Sequence, residues 1–200
     1  MNNTNNTIAD KLPGKTGSGK SLLNISFTAL FAALIAGGTF IAIPIGPVPI
    51  VMQNLFVLLA GLILGPGRGV AAVGLYMLAG ILGAPVFAGF TGGITRFAGP
   101  TGGFLAGYFL AAFTAGIIAR ETGSSKDKVS TPRMILAVAS GLLVVYPPGV
   151  VWLKIVTGLS WDRALITGFL LFIPGDILKG IAAVLIAGKM RKTALDHLNE

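Results

Sequence analysis

The chain has 200 residues, of which 54% are hydrophobic and only 11% charged, with a net charge of +8 and a mean hydropathy of +0.83. A soluble domain carries about a quarter charged residues, so this composition points to a polytopic membrane protein. There is no cysteine, which excludes disulfides, thiolate catalysis and Cys-built metal sites, and the single histidine, His197, reads as a solvated residue of the polar C-terminal tail.

Residues 1–21 read as a polar, flexible tail on the cytoplasmic side, without the basic start and apolar core of a cleaved signal peptide. The tail contains "GKTGSGKS" at 14–21, which fits the phosphate-binding pattern G-x-x-x-x-G-K-[ST] through Gly14, Gly19, Lys20 and Ser21. That pattern cradles phosphate only when a buried strand feeds the loop and a helix leaves it. Here "TIADKLP" precedes it and an apolar span follows, and no later strand ends in a magnesium-holding acid. The motif is therefore read as coincidental, and any energy for transport must come from a partner or an ion gradient.

Residues 22–190 read as a membrane domain. Uncharged stretches run over 47 residues from Ser21 to Gly67, 27 from Gly69 to Thr95, 23 from Phe97 to Ala119 and 20 from Met134 to Leu153. About 18 apolar residues suffice for one span. The expected fold is all-α, with six transmembrane helices near 22–43, 50–64, 69–83, 100–119, 134–146 (resuming through "VVWLKIV") and 164–188. The prolines of "PIGPVP" end the first, and "GPGRG" ends the second. Between helices 3 and 4, "APVFAGFTGGITRFAG" reads as an irregular Gly-rich loop at membrane depth, tolerated only where protein buries it or it lines a cavity. Residues 191–200 read as a cytoplasmic tail.

With six spans both termini share one side. That side would hold 11 of the 15 basic residues, leaving Arg96, Lys154, Arg163 and Lys179 elsewhere. The positive-inside bias then places both termini in the cytoplasm of a multi-pass cell-membrane protein, and it accounts for the surplus charge without nucleic acid. Small residues recur four apart at Ala29/Ala33, Ala32/Ala36, Gly61/Gly65, Ala79/Gly83 and Ala112/Gly116. Such spacing lets helices pack closely in lipid. For the first helix, internal packing and a docking stripe for another membrane protein stand about even; for the others internal packing is favoured.

Charges inside a membrane segment are costly and are functional by default. Asp176 and Lys179 in "FIPGDILKGIAAVL" share a helix face, just after Pro174 and Gly175 loosen the chain. They form either a self-neutralising pair or, as favoured here, a polar binding spot, since a purely structural pair is replaceable by apolar residues. Arg96 is the lone charge between Gly69 and Ala119, flanked by the triplets Thr91–Gly93 and Thr101–Gly103. It is a candidate clamp for a carboxylate, against snorkelling to the interface. Gln53, Asn54 and Tyr76 are uncharged polar candidates, equally served by helix-to-helix hydrogen bonds. Trp152, Lys154, Trp161, Asp162 and Arg163 read as interfacial anchors. The whole suggests an outward cavity for a small, partly apolar anion. No Ser/His/Asp set and no metal-holding carboxylate cluster is present, so neither an enzyme nor a cofactor is expected.

Four segments, "GPVPIVMQNLFVLLAGLILGPGRG", "GLYMLAGILGAPVFAGFTGG", "GPTGGFLAGY" and "FIPGDILKG", together resemble the BioY family of biotin transporters, from about residue 25 to 190. Phe104 stands where that family often has Tyr. BioY proteins are the substrate-binding S components of energy-coupling factor (ECF) transporters. The resemblance implies six helices, an outward vitamin pocket with high-affinity biotin binding, and partnership with a transmembrane coupling protein and two cytoplasmic ATPases. It supports Asp176, Lys179 and Arg96 as ligand residues; Gln53, Asn54, Tyr76 and Gly93 complete the candidate substrate-binding set on the reading of the residues alone. It assigns Ala29 and Ala33 to the coupling-protein interface. Biotin's ureido ring and carboxylate match these groups, but which end meets which residue stays open. An S component for another small vitamin, and an autonomous ion-coupled carrier using Asp176, are the alternatives.

Overall fold

The computed structural model describes the backbone of residues 16–120 and 130–199. Gly14 and Lys15 of the phosphate-loop motif lie outside these residues, as do the side chains of the C-terminal tail, including that of His197. Helix α1 (Thr16–Gly38) is followed by a two-stranded hairpin, β1 (Ala42–Ile43) with β2 (Ile50–Val51). The strands are antiparallel, with Ala42 opposite Val51 and Ile43 opposite Ile50. Then come α2 (Gln53–Ile81), the short α3 (Thr95–Ala98), α4 (Gly102–Ala119), α5 (Thr131–Thr157), α6 (Trp161–Gly168) and α7 (Ile173–Asn199). Among the described residues, five helical segments are long and apolar enough to cross a membrane.

Helix α2 is folded on itself. Gly65 has φ 80° and ψ 177°, a conformation open to glycine and outside the helical region, and Pro66 follows. In a straight helix, residues eight apart lie about 12 Å apart. Here a Cβ on Gly69 would stand 2.9 Å from the Gly61 Cα, so the chain reverses at Gly65 and two arms run back along each other. Arg68, just past the reversal, donates to Asn24 Oδ1 of α1 at 2.6 Å.

Three boundaries differ from the sequence reading. The first helix stops at Gly38, and the apolar residues after it form the β1–β2 hairpin. Thr39 turns the chain there, the single proton of its hydroxyl shared between the carbonyls of Ala36 (2.6 Å) and Val86 (2.9 Å). An apolar run alone does not separate helix from buried strand. Helix α5 runs unbroken through Pro147 and Pro148 and ends at Gly158, whose left-handed conformation (φ 70°) lets its N–H donate to the Lys154 carbonyl. The last span is interrupted: α6 ends at Gly168, Phe169 leaves the helical conformation, and a 3-10 turn, Leu170–Phe172, leads into α7. Pro174 therefore starts a helix, as its fixed φ and missing N–H suit it to do, instead of loosening one.

Packing follows the rule for lipid-embedded bundles, with small residues inside and large apolar ones outside. Ala60, Ala72, Ala112, Ala137, Ala183 and Ala187 are completely buried, while Leu82 is 78% and Leu178 70% exposed. Helix α4 lies against both α2 and α5. A Cβ on Gly61 would overlap the Ala112 carbonyl oxygen, one on Gly107 would stand 2.9 Å from that of Val145, and one on Gly116 2.5 Å from Pro66 N. Arg133 ties the far end, donating through Nε to the Ile118 carbonyl at 2.6 Å, where a cation also offsets the helix C-terminal dipole.

Gly61→Ala is expected to destabilise the fold by about 1–3 kcal/mol, the usual penalty for over-packing. Gly67→Ala, where an added Cβ meets nothing within 4 Å, should leave stability unchanged or slightly raised. Thermal unfolding of the two variants side by side in detergent checks this pair.

Candidate functional site

A cavity of about 410 Å³ opens at the end of the bundle away from Arg68 and Arg133. This lies within the range of roughly 300–1,000 Å³ typical of small-molecule sites. Its rim is the hairpin segment 39–51 and the loop 82–101. Phe40 and Phe90, one from each, stack with ring centroids 4.8 Å apart. Its walls are apolar and aromatic, with Val48, Phe87, Phe104, Phe172 and Tyr146, and its polar side chains include Gln53, Asn54, Arg96 and Tyr108.

Each polar group is placed by local structure. Gln53 and Asn54 open α2 one residue after strand β2, with Met52 between. Asn54 Oδ1 accepts a hydrogen bond from the Tyr108 hydroxyl at 2.7 Å, bridging α2 and α4. Gln53 is 3% exposed, and its Nε2 has no hydrogen-bond partner among the described residues. The hydroxyl of the neighbouring Tyr76 is likewise without a well-formed bond. A buried donor left unmatched costs about 1–3 kcal/mol, and Gln53, which lines the cavity, has the Tyr76 hydroxyl as its neighbouring polar group. Arg96 sits on the one-turn helix α3, half-buried in the wall, with no ion-pair partner among the described residues.

Asp176 and Lys179 lie one layer deeper. They are 4% and 5% exposed and pair at 2.9 Å between Nζ and Oδ1. The Tyr146 hydroxyl donates to the other oxygen, Asp176 Oδ2. Asp176 stands in the first turn of α7, where the helix dipole favours a carboxylate. Tyr146 lines the cavity while the ion pair itself does not, so the pair communicates with the cavity through that ring. Phe169 fixes the ring edge-on, with centroids 4.6 Å apart.

The sequence-derived candidates thus separate into layers. Arg96, Gln53 and Asn54 line the cavity, and Asp176 with Lys179 forms a buried charged layer behind Tyr146. Tyr76 sits behind Phe87, whose ring meets it edge-on at 5.6 Å. Gly93 does not line the cavity; it braces the loop, its N–H donating to the Gly80 carbonyl at 2.7 Å with φ at 95°. On α1, Ala29 and Ala33 face outward, whereas Ala32 is buried. Sequence reading passed over Tyr108, Tyr146 and the Phe40–Phe90 rim. The signal for the first two was present: the chain has three tyrosines, and a tyrosine in an apolar bundle needs a partner for its hydroxyl.

Fold and cavity together define a multi-pass membrane protein with a cavity of small-molecule size near one end of the bundle. The chain belongs to the BioY family, whose model matches residues 11–196. It is 43% identical over 167 residues to the "Probable biotin transporter BioY" of Pyrococcus horikoshii, covering 84% of this chain and 95% of that one. It is 38% identical over 168 residues to the biotin transporter BioY of Thermotoga maritima, with the same coverage of 84% and 95%. Among solved structures it is similar to the S-component for biotin from an ECF-type ABC transporter. That match has a TM-score of 0.78 and 31% identity, and covers 87% of this chain and 93% of that one.

Lys179→Met alone leaves a buried carboxylate without its cation and is expected to destabilise the protein by about 3–5 kcal/mol. Adding Asp176→Asn removes the stranded charge and should restore most of that loss. Unfolding midpoints of the single and double variants decide it; equal midpoints for Lys179→Met and wild type would contradict a buried ionised pair.

Proposed function

We propose that this protein binds biotin from outside the cell and admits it as the S component of an ECF-type ABC transporter. Family membership, the relatives named as biotin transporters and the likeness to a biotin S-component support this reading. The observation that carries it is the layered cavity. An unpaired guanidinium in the wall suits a carboxylate, the apolar and aromatic middle suits a thioether ring, and the Asp176–Lys179 layer reached through Tyr146 suits a ureido group with two N–H donors and one carbonyl.

In this reading the folded-back α2 supplies two spans, so that six helices cross the membrane. The Arg68 and Arg133 end, with both termini, faces the cytoplasm and the cavity faces out. ATP is split elsewhere. Residues 16–21 of the phosphate-loop motif already lie inside α1, where a phosphate-cradling loop would have to be. A transmembrane coupling protein and two ATPase subunits supply the energy, and the outward stripe of Ala29 and Ala33 on α1 is the surface offered to the coupling protein.

Calorimetric titration of biotin into the detergent-purified protein should give one-to-one binding without ATP. Arg96→Gln should weaken it by about 10- to 150-fold, the equivalent of roughly 1.5–3 kcal/mol for a hydrogen bond to a charged group, and Asp176→Asn, which acts on the cavity through Tyr146, should weaken it by less. A variant lacking residues 1–15 should bind as wild type does. Folded protein that gives no heat with biotin but responds to another vitamin would redirect the substrate assignment while leaving the family intact.

A further inference from the structure

A second cleft, of about 350 Å³, lies between α5 and α6 on the outer surface of the bundle. Leu143, Pro147 and Val151 of α5 form one wall, four residues apart and therefore on one helix face. Trp161 and Leu165 of α6 form the other, and Tyr146 with Phe169 closes the base. Leu143 is 61% and Leu165 45% exposed, so the cleft opens sideways toward the bilayer. Tyr146 is the one lining residue with a polar side-chain oxygen, and its hydroxyl is turned away onto Asp176. An apolar cleft at membrane depth excludes water, and its occupant must be apolar and slender.

We propose that this cleft holds one acyl chain of a phospholipid from the leaflet on the Lys154 side, with the headgroup phosphate at Lys154. The dimensions agree. From Leu143 to Lys154 the helix advances roughly 16 Å at about 1.5 Å per residue. That is close to half of the ~30 Å hydrocarbon core, the depth of one leaflet. The charge agrees as well. Lys154 continues the face of Leu143, Pro147 and Val151, and its Nζ lies 5.0 Å from the centroid of the Trp161 ring, which itself lines the cleft. Neither Lys154 nor Arg163 of α6 has an ion-pair partner among the described residues, and Asp162 is the single acid of the segment from 154 to 163. A cation beside an indole at the membrane boundary is a place for a phosphate.

The cleft shares a wall with the solute cavity, because the Tyr146 ring borders both. An acyl chain in the cleft presses on the outer face of that ring and helps to hold its hydroxyl on Asp176. The lipid is thus a structural ligand of the same layer that faces the solute.

Native mass spectrometry of the full chain in mild detergent with added palmitoyl-oleoyl-phosphatidylglycerol tests the site. Wild type and Leu185→Trp, altered on the exposed side of α7, should retain one lipid. Val151→Trp, which fills the cleft, should lose it, and Lys154→Gln should retain less. Undiminished retention in Val151→Trp would overturn the site, and undiminished retention in Lys154→Gln would overturn the headgroup assignment. A photoreactive benzoylphenylalanine at Leu165, irradiated in native membranes, covers the case in which Val151→Trp does not fold. A lipid-mass adduct supports the proposal, and an adduct with another protein chain overturns it.

Discussion

Helix α4 meets its neighbours almost backbone to backbone, and the rest of the bundle is arranged around that contact. A Cβ at Gly103 would overlap the Pro148 carbonyl oxygen, and the Gly61–Ala112 and Gly116–Pro66 contacts are as tight. In lipid there is no hydrophobic drive for helices to associate, since the surroundings are as apolar as leucine; dispersion between closely fitted backbones does that work. The small residues concentrate where α4 touches α2 and α5. Toward the cavity end, Gly103 and Gly107 keep the close contact with α5, while Phe104 and Tyr108 of the same helix line the cavity.

At the edge of that space stands the buried charge layer. Two ions taken out of water are tolerated only when each is matched, and here Lys179, Tyr146 and the first turn of α7 together surround Asp176. The arrangement joins three elements. The short break at Phe169 between α6 and α7 lets Asp176 begin a helix, and Tyr146 of α5 reaches across to it. Tyr146 is also the ring that separates the solute cavity from the lateral cleft, so packing on the lipid side and polarity on the solute side act on one residue.

Much of this was legible beforehand, for identifiable reasons. The long uncharged runs, and the charges Arg96, Asp176 and Lys179 set among apolar residues, are properties of the chain read in a line. The resemblance of "GAPVFAG", "GPTGG" and "PGDILK" to BioY proteins is equally local, and the family match agrees with it. The misplaced boundaries share another cause. Ile41 to Ile43 are as apolar as the helix before them, so only the pairing with Ile50 and Val51 tells that they form a strand. Pro147 and Pro148 look like helix breakers in sequence, but in a bundle the freed carbonyls and the surrounding helices accommodate them.

By itself, then, the sequence determined that the chain is a helical membrane protein of the BioY family and which polar residues are too expensive to be idle, because hydropathy, charge placement and local motifs depend on composition along the chain. Only the tertiary structure decided which of those residues share a surface. It lines the cavity with Arg96, Gln53 and Asn54, sets Asp176 and Lys179 one layer behind Tyr146, places Tyr76 behind Phe87, and uses Gly93 as a brace. Those assignments depend on contacts between distant residues, such as Tyr146 with Asp176 at 30 positions and Asn54 with Tyr108 at 54. Contacts at that separation are set by how helices cross and where α2 folds back, and no periodicity within a single helix encodes them.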